Sequence, residues 1–245
     1  MCDFFSFCSY NETYLYSEWE DRKRDFERAD SHTAILMRAG IDVRKQENWQ
    51  KYEYNLLTKA FFVDTPDLGG NHDVARRWVE RLDWSTIVPD LAIKPIVNPF
   101  ELQPPSITDE HVRLLAAWNS VGASVRDSMG ASVRDSVGAS VWNSVGDSVW
   151  NSMGVSVRDS VGASVWNSVG DSVWNSVGAS VRAYISSFFT IKYSHDPTSA
   201  VLLWDQGIVP SFDGTTWRLH GGRDAKVLYT ISAKDLAAHE GKEKS

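Results

Sequence analysis

The chain predicts an α+β module, built from its two flanks, around a central repeat folded as a β-solenoid. Three observations carry that expectation. Ser120 to Ala183 is an unbroken run of sixteen four-residue units: Ser, then Val or Met, then Gly, Arg or Trp, then Ala, Asp, Asn or Val. The third position is Gly in every second unit, from Gly122 to Gly178, and Arg or Trp between, so the true period is eight. The flanks show no repetition and carry ordinary hairpin and helix-cap signals instead.

A one-sided helix suits this period badly. A residue recurring at every fourth position drifts by roughly 40° per unit, so a Val stripe winds around the helix and no face stays apolar. Ser, Asp, Asn and Val are weak helix formers, and each Gly costs about 1 kcal/mol relative to Ala. A solenoid places Val inside and Ser, Asn, Asp and Gly at corners, and its coils share a core that none could bury alone. A coil must hold whole octads, and two octads is the smallest number able to close. Arg126, Trp142, Arg158 and Trp174 then form one column, and Arg134, Trp150, Trp166 and Arg182 the other. At a strand spacing of about 4.8 Å, guanidinium stacks on indole. The alternative is a repeat folded as helices, because helix-like sequence runs into it from both sides. The expected domains are an N-terminal α+β region (1–98), a linker and capping helix (99–118), the solenoid (119–183), and a C-terminal α+β region (184–245) that packs with the N-terminal one.

The elements follow in order. Residues 2–19 read as a hairpin, with Phe4, Phe5, Phe7 and Tyr10 facing Tyr14, Leu15 and Tyr16 across Asn11-Glu12. Ser17 and Glu20 have capping-box spacing for a charged helix reaching Arg28. Ser31 to Ala39 is helical in pattern, with Gly40 as its stop. Lys51–Asn55 and Ala60–Asp64 form a second hairpin. Asn71 caps a helix carrying Val74, Trp78, Val79 and Leu82. Thr86–Val97 reads as extended, with Pro89 and Pro95 excluding a central strand. Thr108 caps a helix through Val112, Leu115 and Ala116, placed to cover one end of the solenoid; Val181, Tyr184, Ile185, Phe188 and Phe189 have the spacing of a helix for the other end. Asp196-Pro197 opens a helix that Gly207 ends. Asp213-Gly214 turns a hairpin between Ile208–Phe212 and Thr216–Leu219, and Gly221-Gly222 leads to a strand over Lys226–Ile231. Ser232 caps a last short helix.

The net charge is -7, and the repeat with four Arg and five Asp contributes little of it. Double-stranded nucleic acid, which wants a basic face, is therefore not the expected partner. Cys2 and Cys8 are the two cysteines, with no second pair, so neither a disulfide framework nor a four-ligand zinc site is expected. None of the six histidines pairs with another at helical spacing, so neither a metal nor a cofactor is expected. There is no basic, apolar leader pattern at the N-terminus and no run of membrane-spanning length, which sets the expectation of a cytoplasmic protein without membrane contact.

Three stretches carry a resemblance: Met1-Cys2-Asp3-Phe4-Phe5-Ser6-Phe7, Lys51-Tyr52-Glu53-Tyr54-Asn55, and the run from Ile208 through Asp213-Gly214-Thr215-Thr216-Trp217 to His220. With the Ser-Val repeats, the chain resembles uncharacterised proteins of phages and bacteria that carry the same tandem units. The resemblance covers most of the chain. It implies a phage or prophage setting, hence a host cytoplasm, and a variable number of repeats. It brings no activity and no site residues.

The functional expectation rests on the residues alone. Exposed Arg and Trp columns would form a stripe of the types that dominate protein-binding hot spots, which points to a non-enzymatic interaction protein. An alternative is a small-molecule-binding or hydrolytic site between the flanks, drawn from Asp30, His32, Asp213, His220 and Arg223. There, His220-Gly221-Gly222-Arg223 could hold an anion on backbone N–H groups, although a plain turn between two strands is the favoured explanation. A third reading is end-to-end self-association of the rods.

Overall fold

The computed structural model describes residues 5–24, 31–44, 49–65, 70–122, 131, 142–143, 145–149, 171–193 and 195–241, with 22–24, 171–176 and 240–241 described by backbone alone. The chain forms two compact units. One comprises Met1–Lys94 with Arg134–Ser148, the other Pro95–Val133 with Val149–Ser245.

The first unit is built on an antiparallel sheet in the order β2-β1-β3-β4, from Phe5–Tyr10 (β1), Thr13–Tyr16 (β2), Trp49–Tyr54 (β3) and Phe61–Val63 (β4). Asn11 and Glu12 both have positive φ, 46° and 64°, as a two-residue hairpin turn matched to strand twist requires. Alternation then sorts the side chains. The pairs Phe7↔Tyr16, Phe7↔Tyr52 and Tyr54↔Phe61 put a layer of aromatic rings on one face. Cys8, Leu15 and Trp49 lie on the other, where Ile35 and Leu36 of helix α2 (His32–Arg38) cover them. A short helix α1 (Trp19–Arg24) follows the first hairpin.

The aromatic face is closed by α3 (His72–Glu80) and α4 (Trp84–Ile87). Trp78 stacks on Tyr14 at 4.3 Å and packs on Phe7 at 5.0 Å, while Trp84 meets Phe5 edge-on at 4.9 Å. The caps are the expected ones: Ser31 Oγ accepts from Ala34 N, and Asn71 Oδ1 from Val74 N. One expectation fails here. Thr86 and Ile87, read as the start of an extended stretch, complete α4, because Asp83 caps it by accepting from Ser85 N.

In the second unit, α5 (Asp109–Ser120), α6 (Asp171–Ser186), α7 (Thr198–Asp205) and α8 (Ala233–Gly241) pack with a sheet of β5 (Val209–Phe212), β6 (Thr216–Gly221) and β7 (Lys226–Ser232). The core joins Leu115 and Trp118 of α5, Ala179 and Ala183 of α6, Leu203 of α7, Trp217 and Leu219 of β6, and Leu236 of α8. α5 starts with a capping arrangement in which His111 replaces the usual Glu. Its Nδ1 accepts from Thr108 N, so its Nε2 donates to Gln206 Oε1 of the turn after α7. Val97 is held at both of its backbone groups: its N–H donates to the Tyr184 hydroxyl at 2.8 Å and its carbonyl accepts from Trp204 Nε1 at 2.9 Å. Tyr184 stacks on Trp204, and burial raises its phenol pKa to about 12. No helix among the described residues is long and apolar enough to cross a membrane.

The solenoid expectation is overturned. Apart from Val121 and Gly122, which follow the end of α5, the described repeat residues (120, 131, 142–143, 145–149 and 171–183) are helical, and the described residues form a mixed α+β fold with two small antiparallel sheets. The objection to a helix was that Val drifts around it. That objection holds only for a helix with one buried side. In α6, Val177, Ala179, Ser180, Val181, Ala183, Tyr184, Ile185 and Ser186 are all buried, so almost no side is left for solvent. Burying each Val contributes about 1.5–3 kcal/mol, which outweighs the ~1 kcal/mol helix penalty of the octad's glycine. Buried serines are satisfied along the helix itself, as where Ser186 Oγ donates to Arg182 O at 2.7 Å.

The glycine also has a use. A Cβ at Gly178 would lie 3.3 Å from Arg182 Nη1, so the Arg side chain leans back over the preceding turn into the space Gly leaves. Every Gly of the octads has Arg or Trp four positions on.

Candidate functional site

The stripe loses its geometry with the solenoid. Members of one column lie sixteen residues apart, about 24 Å along a helix, so the helical residues Trp142, Trp174 and Arg182 cannot stack on a column neighbour within their own helix. Arg182 is half-buried in α6 against Gly178, and Trp142 is half-buried on a helical segment. Trp174 lies in α6 and is described by backbone alone; Arg126, Arg134, Trp150, Arg158 and Trp166 lie outside the described residues.

Of the alternative set, Asp30 lies outside the described residues and His32 belongs to the first unit. His32 is buried at the start of α2. Its Nε2 donates to Tyr52 O at 3.0 Å, and its Nδ1 lies 3.8 Å from Asp64 Oδ2, which also faces Lys51 Nζ at 3.9 Å. The ring thus ties α2 to β3, a structural task. In the same unit His72 Nδ1 meets the Tyr52 hydroxyl at 3.2 Å, which ties the start of α3 to β3.

Asp213, His220 and Arg223 share the β5-β6-β7 sheet. The register Phe212↔Trp217 and Val209↔His220 puts Asp213 at the hairpin turn and His220 at the far end of the ladder. With a rise of about 3.3 Å per residue, they are on the order of 10 Å apart along the strand. Asp213 is consumed by its own turn. Burial works against its charge, but the N–H groups of Thr215 and Thr216, the Thr215 hydroxyl and Arg218 Nη1 all donate to it and hold its carboxyl well below the usual carboxylate range. Arg223 sits exposed in the turn of 222–225.

His220 gains a partner the sequence reading missed. Its Nδ1 lies 3.1 Å from Ala225 O, and a carbonyl can only accept, so Nδ1 carries the proton. Nε2 is then the acceptor, and Ser211 Oγ donates to it at 2.7 Å. This is the bond of a nucleophile with its base, yet Ser211 is 0% exposed and His220 4%, and the third group is a neutral carbonyl rather than a carboxylate. The pair was findable: once the Asp213-Gly214 hairpin is drawn, Ser211 and His220 are diagonal neighbours on one face. Burial lowers the His220 pKa, with the Ala225 carbonyl opposing and the Arg218 charge adding to the shift.

Around this ring the sheet is irregular. Leu219 pairs with Tyr229 but His220 with Val227, so Leu228 is an extra, bulged residue. The bulge fits because Gly221 has no side chain: a Cβ there would stand 2.7 Å from Leu228 Cδ1 and 2.9 Å from Gly207 O. Gly222 and Ala225, both with positive φ, close the turn, with Ala225 N donating to Gly222 O. β7 then runs seven residues, paired to β6 on one side and to no strand on the other among the described residues. Val227 is 52% exposed on it. No group of His, Cys, Asp and Glu among the described residues is placed to hold a metal ion. Comparison with family models, with curated proteins and with solved structures finds no match.

Proposed function

We propose that this chain is a non-enzymatic interaction protein that takes an extended segment of a partner protein onto the outer edge of β7, in the phage or prophage setting its sequence resembles. The observation that carries the reading is the open side of β7. A seven-residue strand paired on one side offers a row of backbone donors and acceptors, and the exposed Val227 supplies apolar contact beside them. The bulge at Leu228 and the charge of Lys226 twist and guard the start of the strand, devices that oppose flat pairing with a second copy. A different protein, able to follow the twist over Tyr229–Ser232, is therefore the better occupant than end-to-end self-association.

The test is amide hydrogen exchange on the full chain, alone and with a partner captured from a host-cell extract. Added protection at residues 227–232 supports the reading, and a Thr230→Pro chain, which removes a backbone donor, should lose the partner. Protection that appears elsewhere while β7 stays unchanged defeats it.

A further inference from the structure

The Ser211–His220–Ala225 chain joins three pieces of the sheet. Ser211 belongs to β5, His220 to β6, and Ala225 to the turn from which β7 departs. The ring is buried and sits at the bulge itself. We infer that His220 is a proton-sensitive latch: its neutral ring fixes the β6–β7 turn to β5, and protonation releases that turn and the start of β7. The inference deepens the β7 docking reading by naming how the edge is regulated, and rests on it for that purpose only.

The neutral ring satisfies every group it touches, with Nδ1–H donating to Ala225 O and Nε2 accepting from Ser211. A second ring proton breaks that arrangement. Nε2–H then points at the Ser211 hydroxyl, which must turn its own proton away into a fully buried surrounding. The cation itself would be buried. The surrounding charge does not help. β5 contributes only neutral side chains, β6 carries Arg218, already paired with Asp213, and the two helices packed on β5 carry charge only as Asp171 at the start of α6, Arg182 further along it, and Asp205 at the end of α7. Arg223, Asp224 and Lys226 lie at the turn. The turn is the point of release because Ala225 holds a left-handed conformation, φ 47°, that a non-glycine residue keeps only when its neighbours fix it. The sign follows: a base whose folded pKa is lowered contributes stability that is whole above its ordinary pKa and falls as pH drops through the folded value.

The test uses the full chain without any partner, so it stands or falls apart from the docking reading. Amide protection of residues 224–228, corrected for the intrinsic effect of pH, should fall at least tenfold between pH 7 and pH 5. The fall should begin near the ordinary histidine pKa and level off where the His220 ring of the folded chain, followed by nitrogen NMR, takes up its proton. His220→Gln should flatten it to less than twofold, and Ser211→Ala should move it to higher pH. An unchanged wild-type turn over this range overturns the inference, as does a fall that continues below the pH at which the His220 ring has become protonated. Should His220→Gln fail to fold, the wild-type ring titration against the wild-type protection curve decides alone.

Discussion

Helices α3 and α6 obey the same backbone geometry and are written in opposite codes. α3 buries Ala75 and Val79 and turns Asp73, Val74, Arg76, Arg77 and Glu80 to solvent, so its pattern announces one wet side and one dry side. α6 buries nearly everything from Val177 to Ser186 and announces nothing. Periodicity reads out a helix only when the helix lies at a boundary between protein and water. For a helix wrapped by strands and other helices, composition decides: residues small enough to let neighbours approach, and polar ones able to satisfy themselves within the helix.

The widest gap should appear on truncating apolar side chains. Ile185→Ala, at a position 3% exposed, is expected to destabilise by about 2–5 kcal/mol, whereas Val74→Ala, 40% exposed, should stay within about 0.5 kcal/mol. Chemical denaturation of the two variants measures the contrast, and equal effects would erase it. A smaller effect separates a serine of the repeat from one just beyond it in α6. Ser148 accepts from Asn55 Nδ2 at 2.7 Å, a contact between segments 93 residues apart, whereas Ser186 donates to its own helix. Ser148→Ala should therefore destabilise by about 1 kcal/mol and Ser186→Ala by less than half of that. Smallest, and opposite in sign, is Gly178→Ala. The new Cβ meets only the movable end of Arg182, so up to about 1 kcal/mol of helix propensity should be gained. A loss in that variant would mean the notch over Gly178 is needed by the Arg side chain.

Most of the flanks was legible in the sequence because their signals are local. Asn11-Glu12, Ser31, Asn71, Thr108 and Asp213-Gly214 each settle a turn or a cap within four residues, and strand faces follow by alternation. The repeat was not legible, because its fate depends on what surrounds it, and nothing within an octad says how many sides will be covered. The candidate site divides the same way. His220 stood out through the glycines beside it, but Ser211 required the hairpin register, and the bulge at Leu228 required knowing that Gly221 lies against Gly207 O. For Arg182 the spacing from Gly178 is a relation within one helix, four residues long, which a reading of the repeat as stacked coils does not contain.

The Tyr184–Trp204 stack and the two bonds to Val97 fix the rotational phase of α6 at its C-terminal end. An array of identical octads is prone to slippage during replication, and each octad gained or lost shifts a continuous helix by about 12 Å and 80°. With the phase anchored there, only copy-number changes upstream of Asp171 leave that packing undisturbed. Variants of this gene that differ in array length should therefore differ on the N-terminal side of α6, and keep Asp171–Ser186 intact.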